Sequence, residues 1–466
     1  MSNQQRLMFC AVVTALTLMC ASARSAAPTG WISQPLSLDD AVRIALAQNA
    51  NIQKSQHDLE AAHGIAIQTR AVLLPKLTGA AGYEHDKAQD RDPFSNQPDY
   101  HPPEDNWTGS IRLTQKIYEG GKLAASWRAA RLIQLQAFQE YQAVIADTLL
   151  EVRTAYYDVL LAEQQIAVQQ AAVTLLSQEL ENTRRRQEAG AVPRFDVLRG
   201  EVKVANARPQ VIRAQNRFRT AKYDLVNALG YNVPTNVLED IPLALTTQLD
   251  TAPYHLALAE ALVLARARRP ELHSARTDVE LQGERVKMAR SGYLPSLGVY
   301  GGYKAYNHEY RDDFDDATHG VVAGVEMKWD IFDGLGTRGR VVEARAREAK
   351  AGVSLTDLDR RVEKEVRTAW SGFIEAREVL ASQEKNVERA DEAIRLASSR
   401  YDAGSGTQLD VLDAQTSLTE ARTTQIDAAR DYLVARAKLE RAIGHDVQRA
   451  NTSAPTTVEQ WKPKTQ

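Results

Sequence analysis

Along most of the chain, apolar and small residues recur at intervals of three and four. Between Lys122 and Ala189, 68 residues pass without a proline. Ala137, Tyr141, Val144, Thr148, Val152, Ala155, Val159, Ala162, Ile166, Val173, Leu176 and Leu180 keep that spacing, the period of helices packed as coiled coils. Ala189-Gly190 closes the run, glycine supplying a left-handed C-cap. A second helix is predicted from Arg194 to Gly230, kinked at Pro209. An earlier one opens at Ser37 with an acidic first turn and stops near Pro75. At about 1.5 Å per residue the long helix extends about 100 Å and the two 37-residue helices, Leu38 to Leu74 and Arg194 to Gly230, about 55 Å each, so two short helices stacked end to end match one long one.

Between the helices the period falls from 3.6 to 2. Leu77 to Tyr83, Trp107 to Ile117, Leu297 to Tyr306 and Val321 to Ile331 alternate as strands do. The clearest places Val321, Ala323, Val325, Met327, Trp329 and Ile331 on one face and Gly324, Glu326, Lys328 and Asp330 on the other. Strands of about ten residues, bordered here by Tyr83, Trp107, Tyr303, Tyr306 and Trp329, have the pattern of transmembrane barrel strands with interfacial aromatics. A soluble hairpin with one buried face would show the same alternation. The connections, Glu84 to Asn106 and Asn307 to Gly320, are polar and long for hairpins, whereas the opposite strand ends turn sharply into helices. Four strands are too few to close a barrel, since the smallest membrane barrels have eight, so a spanning chain of this kind must oligomerise.

These elements occur twice. Leu36 to Tyr83 aligns with Leu256 to Tyr303 at an offset of 220, and from Ile117 onward the offset is 214. The EVRTA run is identical at Glu151–Ala155 and Glu365–Ala369, and Ala189-Gly190 and Asp196-Val-Leu198 match Ala403-Gly404 and Asp410-Val-Leu412. The organisation is a first repeat over 24–230 (hairpin 77–117, helices 122–189 and 194–230), a linker over 231–255, a second repeat over 256–444 (hairpin 297–331, helices 336–403 and 407–444) and a tail over 445–466. Residues 1–23 have the form of a cleaved signal peptide: Arg6, an apolar stretch, then Ala21-Ser22-Ala23. Both cysteines, Cys10 and Cys20, lie within it, and Met19 stands where a lipidation signal wants a small residue.

Composition narrows the function classes. With 57 basic and 60 acidic residues there is no positive excess for nucleic acid. A mean hydropathy of −0.40 argues against a bundle of membrane helices. Gly334-Leu-Gly336-Thr-Arg-Gly339 has the spacing of a dinucleotide fingerprint, but its strand alternates and no second strand follows. The acidic cluster Asp312, Asp313, Asp315 and Asp316 lacks calcium-loop spacing, and the histidines are scattered. No enzyme, cofactor or metal site is expected.

The duplicated motifs resemble those of the TolC-like outer membrane efflux proteins. They are Leu38 to Leu46 with Asn49 to Ile52, the Leu74-Pro75-x-Leu77 and Leu294-Pro295-x-Leu297 strand starts, Ile331-Phe332-Asp333-Gly334, and Tyr401 to Gly404 followed by Asp410-Val-Leu-Asp413. The resemblance implies an α+β membrane protein: a homotrimer whose twelve strands form one outer membrane β-barrel and whose helices form a periplasmic α-barrel. Its implied partners are outer membrane lipid, a periplasmic adaptor protein and an inner membrane pump or ABC transporter. It also implies a periplasmic gate at the Gly190 and Gly404 turns. There Asp410 and Asp413 would face the axis as carboxylate rings favouring cations, and Tyr401 would latch onto Asp196. Gly406 stands where the family often has a basic latch residue, and Arg199 occupies the first-copy equivalent of Asp413. The same acids could instead serve only the helix dipole. The function implied is a passive exit duct for efflux or type I secretion. The alternative is a periplasmic or secreted helical scaffold without a pore.

Overall fold

The computed structural model describes residues 35–85, 105–232, 240–307 and 317–445. The signal peptide, the acidic Asp312–Asp316 cluster and most of the tail lie outside them. In the first repeat, α1 (Leu38–Gln48) and α2 (Ala50–Arg70) lead into β1 (Lys76–His85) and β2 (Asp105–Glu119), then α3 (Lys122–Glu188) and α4 (Arg194–Leu229). The second repeats the order with α5 (Leu258–Arg268), α6 (Pro270–Arg290), β3 (Ser296–Asn307), β4 (Ala317–Lys328), α7 (Gly336–Asp402) and α8 (Gln408–Ala442). The α4 helix passes through Pro209 without ending.

The first helix of each repeat is broken where the sequence predicts continuity. Asn49 leaves the helical conformation and caps α2, its side-chain oxygen accepting from the amides of Asn51 and Ile52, while its amide nitrogen donates to the Ala228 carbonyl at 2.7 Å. A polar side chain that satisfies three backbone groups stabilises the break better than an uninterrupted turn would. In the second repeat Arg269 takes this position ahead of Pro270, and its buried guanidinium pairs with Glu271 and Glu365. These breaks are where the short helices meet end to end. Gly230 ends α4 at φ +82, and a Cβ there would lie 2.4 Å from the Gln48 carbonyl oxygen. Gly444 repeats this against Arg268 in the second copy.

Laterally, α3 packs against α2 and α6 in one half of its length and α4 and α8 in the other, while α7 packs against α6 and α8. The consequence appears in burial: α3 buries 20 residues and α7, of equal length, only eight. Thus α3 is interior to a curved layer and α7 forms its edge. The repeats join where α3 meets α8, through Arg153 and Glu440, which pair at 3.2 Å with side chains only 7% and 6% exposed. The 231–255 segment folds back here: Leu245 bridges Leu36, and Lys222, buried on α4, reaches Asp240 and the Ile241 carbonyl.

The strands form one antiparallel sheet in the order β1-β2-β3-β4, leaving β1 and β4 unpaired at its edges. Its register places Leu77, Tyr83, Ile111, Leu113, Tyr303, Val321, Val325 and Met327 on one face, and all are exposed. Lys76, Thr78, Arg112, Lys304 and Glu326 share the other face. Two of the predicted interface aromatics are placed differently. Tyr306 pairs with Thr108 on the polar face, with Lys304 over its ring at 4.8 Å. Trp329 lies beyond the end of β4, where its ring nitrogen donates to the Tyr293 carbonyl at the helix-to-strand junction. Trp329 and Ile331 therefore extend the alternation of β4 but not its ladder, because Asp333 and Gly334 already begin the turn into α7. Tyr83 and Trp107 face each other at the loop end of the sheet.

Candidate functional site

At the end of the layer farthest from the sheet, both long helices reverse through glycine. Gly190 and Gly404 each have φ +74, and a Cβ added to either would meet no atom within 4 Å, so the left-handed backbone and not space requires glycine. The turns close alike: the Ala191 amide donates to the Arg186 carbonyl, and the Ser405 amide to that of Arg400. They differ in how the next helix starts. Pro193 precedes α4 without a side-chain cap, whereas Thr407 and Asp410 form a reciprocal capping box at α8.

This box fixes Asp410. Its carboxylate accepts from the Thr407 amide at 2.9 Å and hydroxyl at 2.8 Å. These two hydrogen bonds, with a smaller contribution from Arg400, hold its carboxyl below the ordinary aspartate value. Asp413 lies one turn on and is likewise exposed, while Val411 and Leu412 between them are buried. The two acids lie exposed on α8, and Asp410, at the third position of the capping box, also stabilises the helix start, in keeping with the dipole role the sequence left open as an alternative.

The expected Tyr401–Asp196 hydrogen bond is not made within this chain. Tyr401 has a buried hydroxyl with no hydrogen-bond partner among the described residues, and its ring lies 4.4 Å from the Arg186 guanidinium. Arg186 is itself fixed by a 2.8 Å bond to Asp402, so a guanidinium already anchored on α7 occupies the ring's face. Asp196 sits in the first turn of α4, its amide donating to the Pro193 carbonyl. Arg199 stacks on Phe195, 4.7 Å away. One turn back from Arg186, the wholly buried Thr183 accepts from the Gln408 amide nitrogen at 2.9 Å.

Arg186, Asp402, Thr183 and Gln408 were not singled out by sequence. The signal was the Arg184-Arg185-Arg186 run, which looks like ordinary compensation of a helix C-terminus. The dinucleotide-like turn has a structural explanation. Asp333 caps α7, accepting from the Thr337 amide and hydroxyl at 2.7 and 2.6 Å, so the site where a phosphate would bind is held by the chain's own carboxylate.

A layer with two open helical edges, α2 with α4 at one and α7 at the other, an open-edged sheet with an uncovered apolar face, and paired glycine turns at the far end together define a subunit of a closed tube. Two matches to the family model described as "Outer membrane efflux protein" cover residues 41–231 and 261–445, one per repeat. Outer membrane protein TolC of Vibrio cholerae is 25% identical over 391 residues, covering 83% of this chain and 85% of its own. The alkaline protease secretion protein AprF of Pseudomonas aeruginosa is 25% identical over 424 residues, covering 87% and 83%. Among solved structures, the outer membrane protein VceC of Vibrio cholerae superposes with a TM-score of 0.72 at 20% identity, covering 87% of this chain and 96% of that one. The chain belongs to the outer membrane efflux protein family.

Proposed function

We propose that this protein is the outer membrane exit duct of a tripartite efflux pump or type I secretion system. Three copies join edge to edge, β4 of one beside β1 of the next and α7 beside α2 and α4. The apolar face of the sheet then meets lipid and the polar face lines the lumen. The observation that carries this reading is the sheet itself, whose two unpaired edges and uncovered apolar face neither a soluble scaffold nor a single copy could leave in water. Energy comes from an inner membrane pump reached through a periplasmic adaptor, and transport through the duct is passive.

The entrance is at the Gly190 and Gly404 turns. Three copies bring the exposed Asp410 and Asp413 together as two carboxylate rings, which attract cations and repel anions. Replacing both, Asp410→Ala with Asp413→Ala, is expected to weaken cation preference in single-channel recordings. Unchanged selectivity would remove the gate from these residues. Extraction tests the wider reading: the protein should require detergent for release, and recovery in osmotic-shock fluid would contradict it.

A further inference from the structure

On the polar face of the sheet the register sets three cations in a line. Lys76 on β1 lies opposite Thr114, Arg112 on β2 opposite Gly302, and Lys304 on β3 opposite Ser110. Each is one strand over and two residues along from the last, a diagonal across three strands. Diagonal neighbours in an antiparallel pair stand about 7–8 Å apart, within reach of long side chains. All three are exposed. The other charges of this face, among the described residues, are Lys116, paired with Glu119, Lys328, 3.6 Å from Asp330, Glu84 at the loop end, and Glu326.

Among the described residues a single carboxylate reaches the line: Glu326, 3.5 Å from the Arg112 guanidinium. Lys76 and Lys304 make no ion pair with any described residue. Two tyrosines of β3 hold the cations instead, Arg112 lying 3.9 Å from the centre of the Tyr300 ring and Lys304 4.8 Å from that of Tyr306. Such contacts orient a cation without cancelling its charge. Like charges on neighbouring strands oppose each other. An oxyanion between them would relieve that repulsion through charge-assisted hydrogen bonds. Arg112 and Lys304 stand on the two inner strands, so a strand added by a neighbouring copy at β1 or β4 lies beside neither.

We propose that Arg112 and Lys304, extended by Lys76, form an oxyanion-binding site in the barrel lumen, which selects solutes carrying carboxylate, phosphate or sulfate groups. This rests on the duct reading above and adds a specificity determinant at the exit. Three copies repeat the line three times around a lumen walled by lipid of low dielectric constant, where charge of one sign concentrates its counter-ions. The spacing along the line is close to the Debye length at physiological salt, about 8 Å, so neighbouring cations act together on one anion. Entrance carboxylates and exit cations then carry opposite sign, and substitutions at the two ends separate their effects.

The test is single-channel recording of the full-length protein in planar bilayers at constant ionic strength, with inorganic pyrophosphate as the probe and assembly of each variant checked by its heat-modifiable migration. Pyrophosphate should reduce wild-type conductance saturably, and Arg112→Gln with Lys304→Gln should raise the half-blocking concentration about tenfold or more. Arg112→Lys with Lys304→Arg keeps both charges and should keep most of the block. Asp410→Ala with Asp413→Ala should leave the block in place. A wild-type channel indifferent to pyrophosphate, or a block unchanged in the assembled glutamine pair, would overturn the site. So would a block lost as fully in the charge-preserving pair, or one lost with the entrance acids. In each of these cases a conducting channel leaves the duct reading standing, whereas a protein that forms no conducting unit removes both.

Discussion

Glu179 shows how one buried side chain can couple stability to pH. Burial pushes its carboxyl above the ordinary glutamate value, Arg186 and a hydrogen bond from Asn182 pull it down, and the charge of Asp402 pushes it further up. Because folding raises this pKa, the folded chain binds a proton here more tightly than the unfolded one, and that stabilisation is present at low pH and lost as pH rises through the raised value. Mild acidification should therefore add to the melting temperature, and Glu179→Gln should remove that part of the dependence; a slope unchanged in the variant would assign it elsewhere. Asp410 behaves oppositely. Its lowered pKa means that its cap is intact at neutral pH and is lost only in strong acid, as pH falls through that value. Among the structural charges of the described residues, Glu440 stands at a buried junction. Removing it leaves Arg153 buried between α3 and α8, so Glu440→Ala should cost about 3–5 kcal/mol in unfolding measurements. A loss below about 1 kcal/mol would mean that water reaches Arg153. Asp410 was legible because its partner Thr407 is three residues away, whereas the Arg153–Glu440 and Arg186–Asp402 pairs were not, because their meaning comes from helices brought together across more than 200 positions.

At the scale of elements, legibility followed the strength of local patterning. The long helices ended within a residue of their predicted bounds because Gly190 and Gly404 punctuate them. The break at Asn49 was hidden because apolar spacing continues through it, and only the carbonyl of Ala228, from a distant helix, makes the cap worth forming. The strands were visible through alternation, yet Tyr306 was assigned with the interface aromatics by residue type when its parity places it on the polar face. Gly230 carries a clear prediction. A side chain there would adopt a left-handed backbone, costing about 1–3 kcal/mol, and would also collide with the Gln48 carbonyl. Gly230→Val should lower the melting temperature well beyond a surface substitution, and a neutral result would mean that the stacked helices separate freely. On the polar face of the sheet, Tyr300 lies over Gly324 with Arg112 3.9 Å from its ring, and a Cβ at Gly324 would come 2.7 Å from the tyrosine hydroxyl. Gly324→Leu should displace the ring into the lumen and reduce conductance without affecting assembly.

For the whole molecule, duplication explains the shape. One repeat supplies half of a curved layer, and a second at matching register extends it, but the chain stops with β1, β4 and α7 still open. The sheet's edges are too long and its outer face too apolar to remain exposed, and three copies of four strands give a twelve-stranded barrel, within the range of known membrane barrels. Near-neutral charge and modest hydropathy follow from the same geometry, since only one face of four short strands meets lipid. Single-channel recording of the detergent-extracted protein tests this most directly. Discrete, cation-preferring conductance steps are predicted. A protein that inserts no conducting unit into the bilayer, at concentrations where it is fully assembled, would contradict the reading of this chain as one third of a tube.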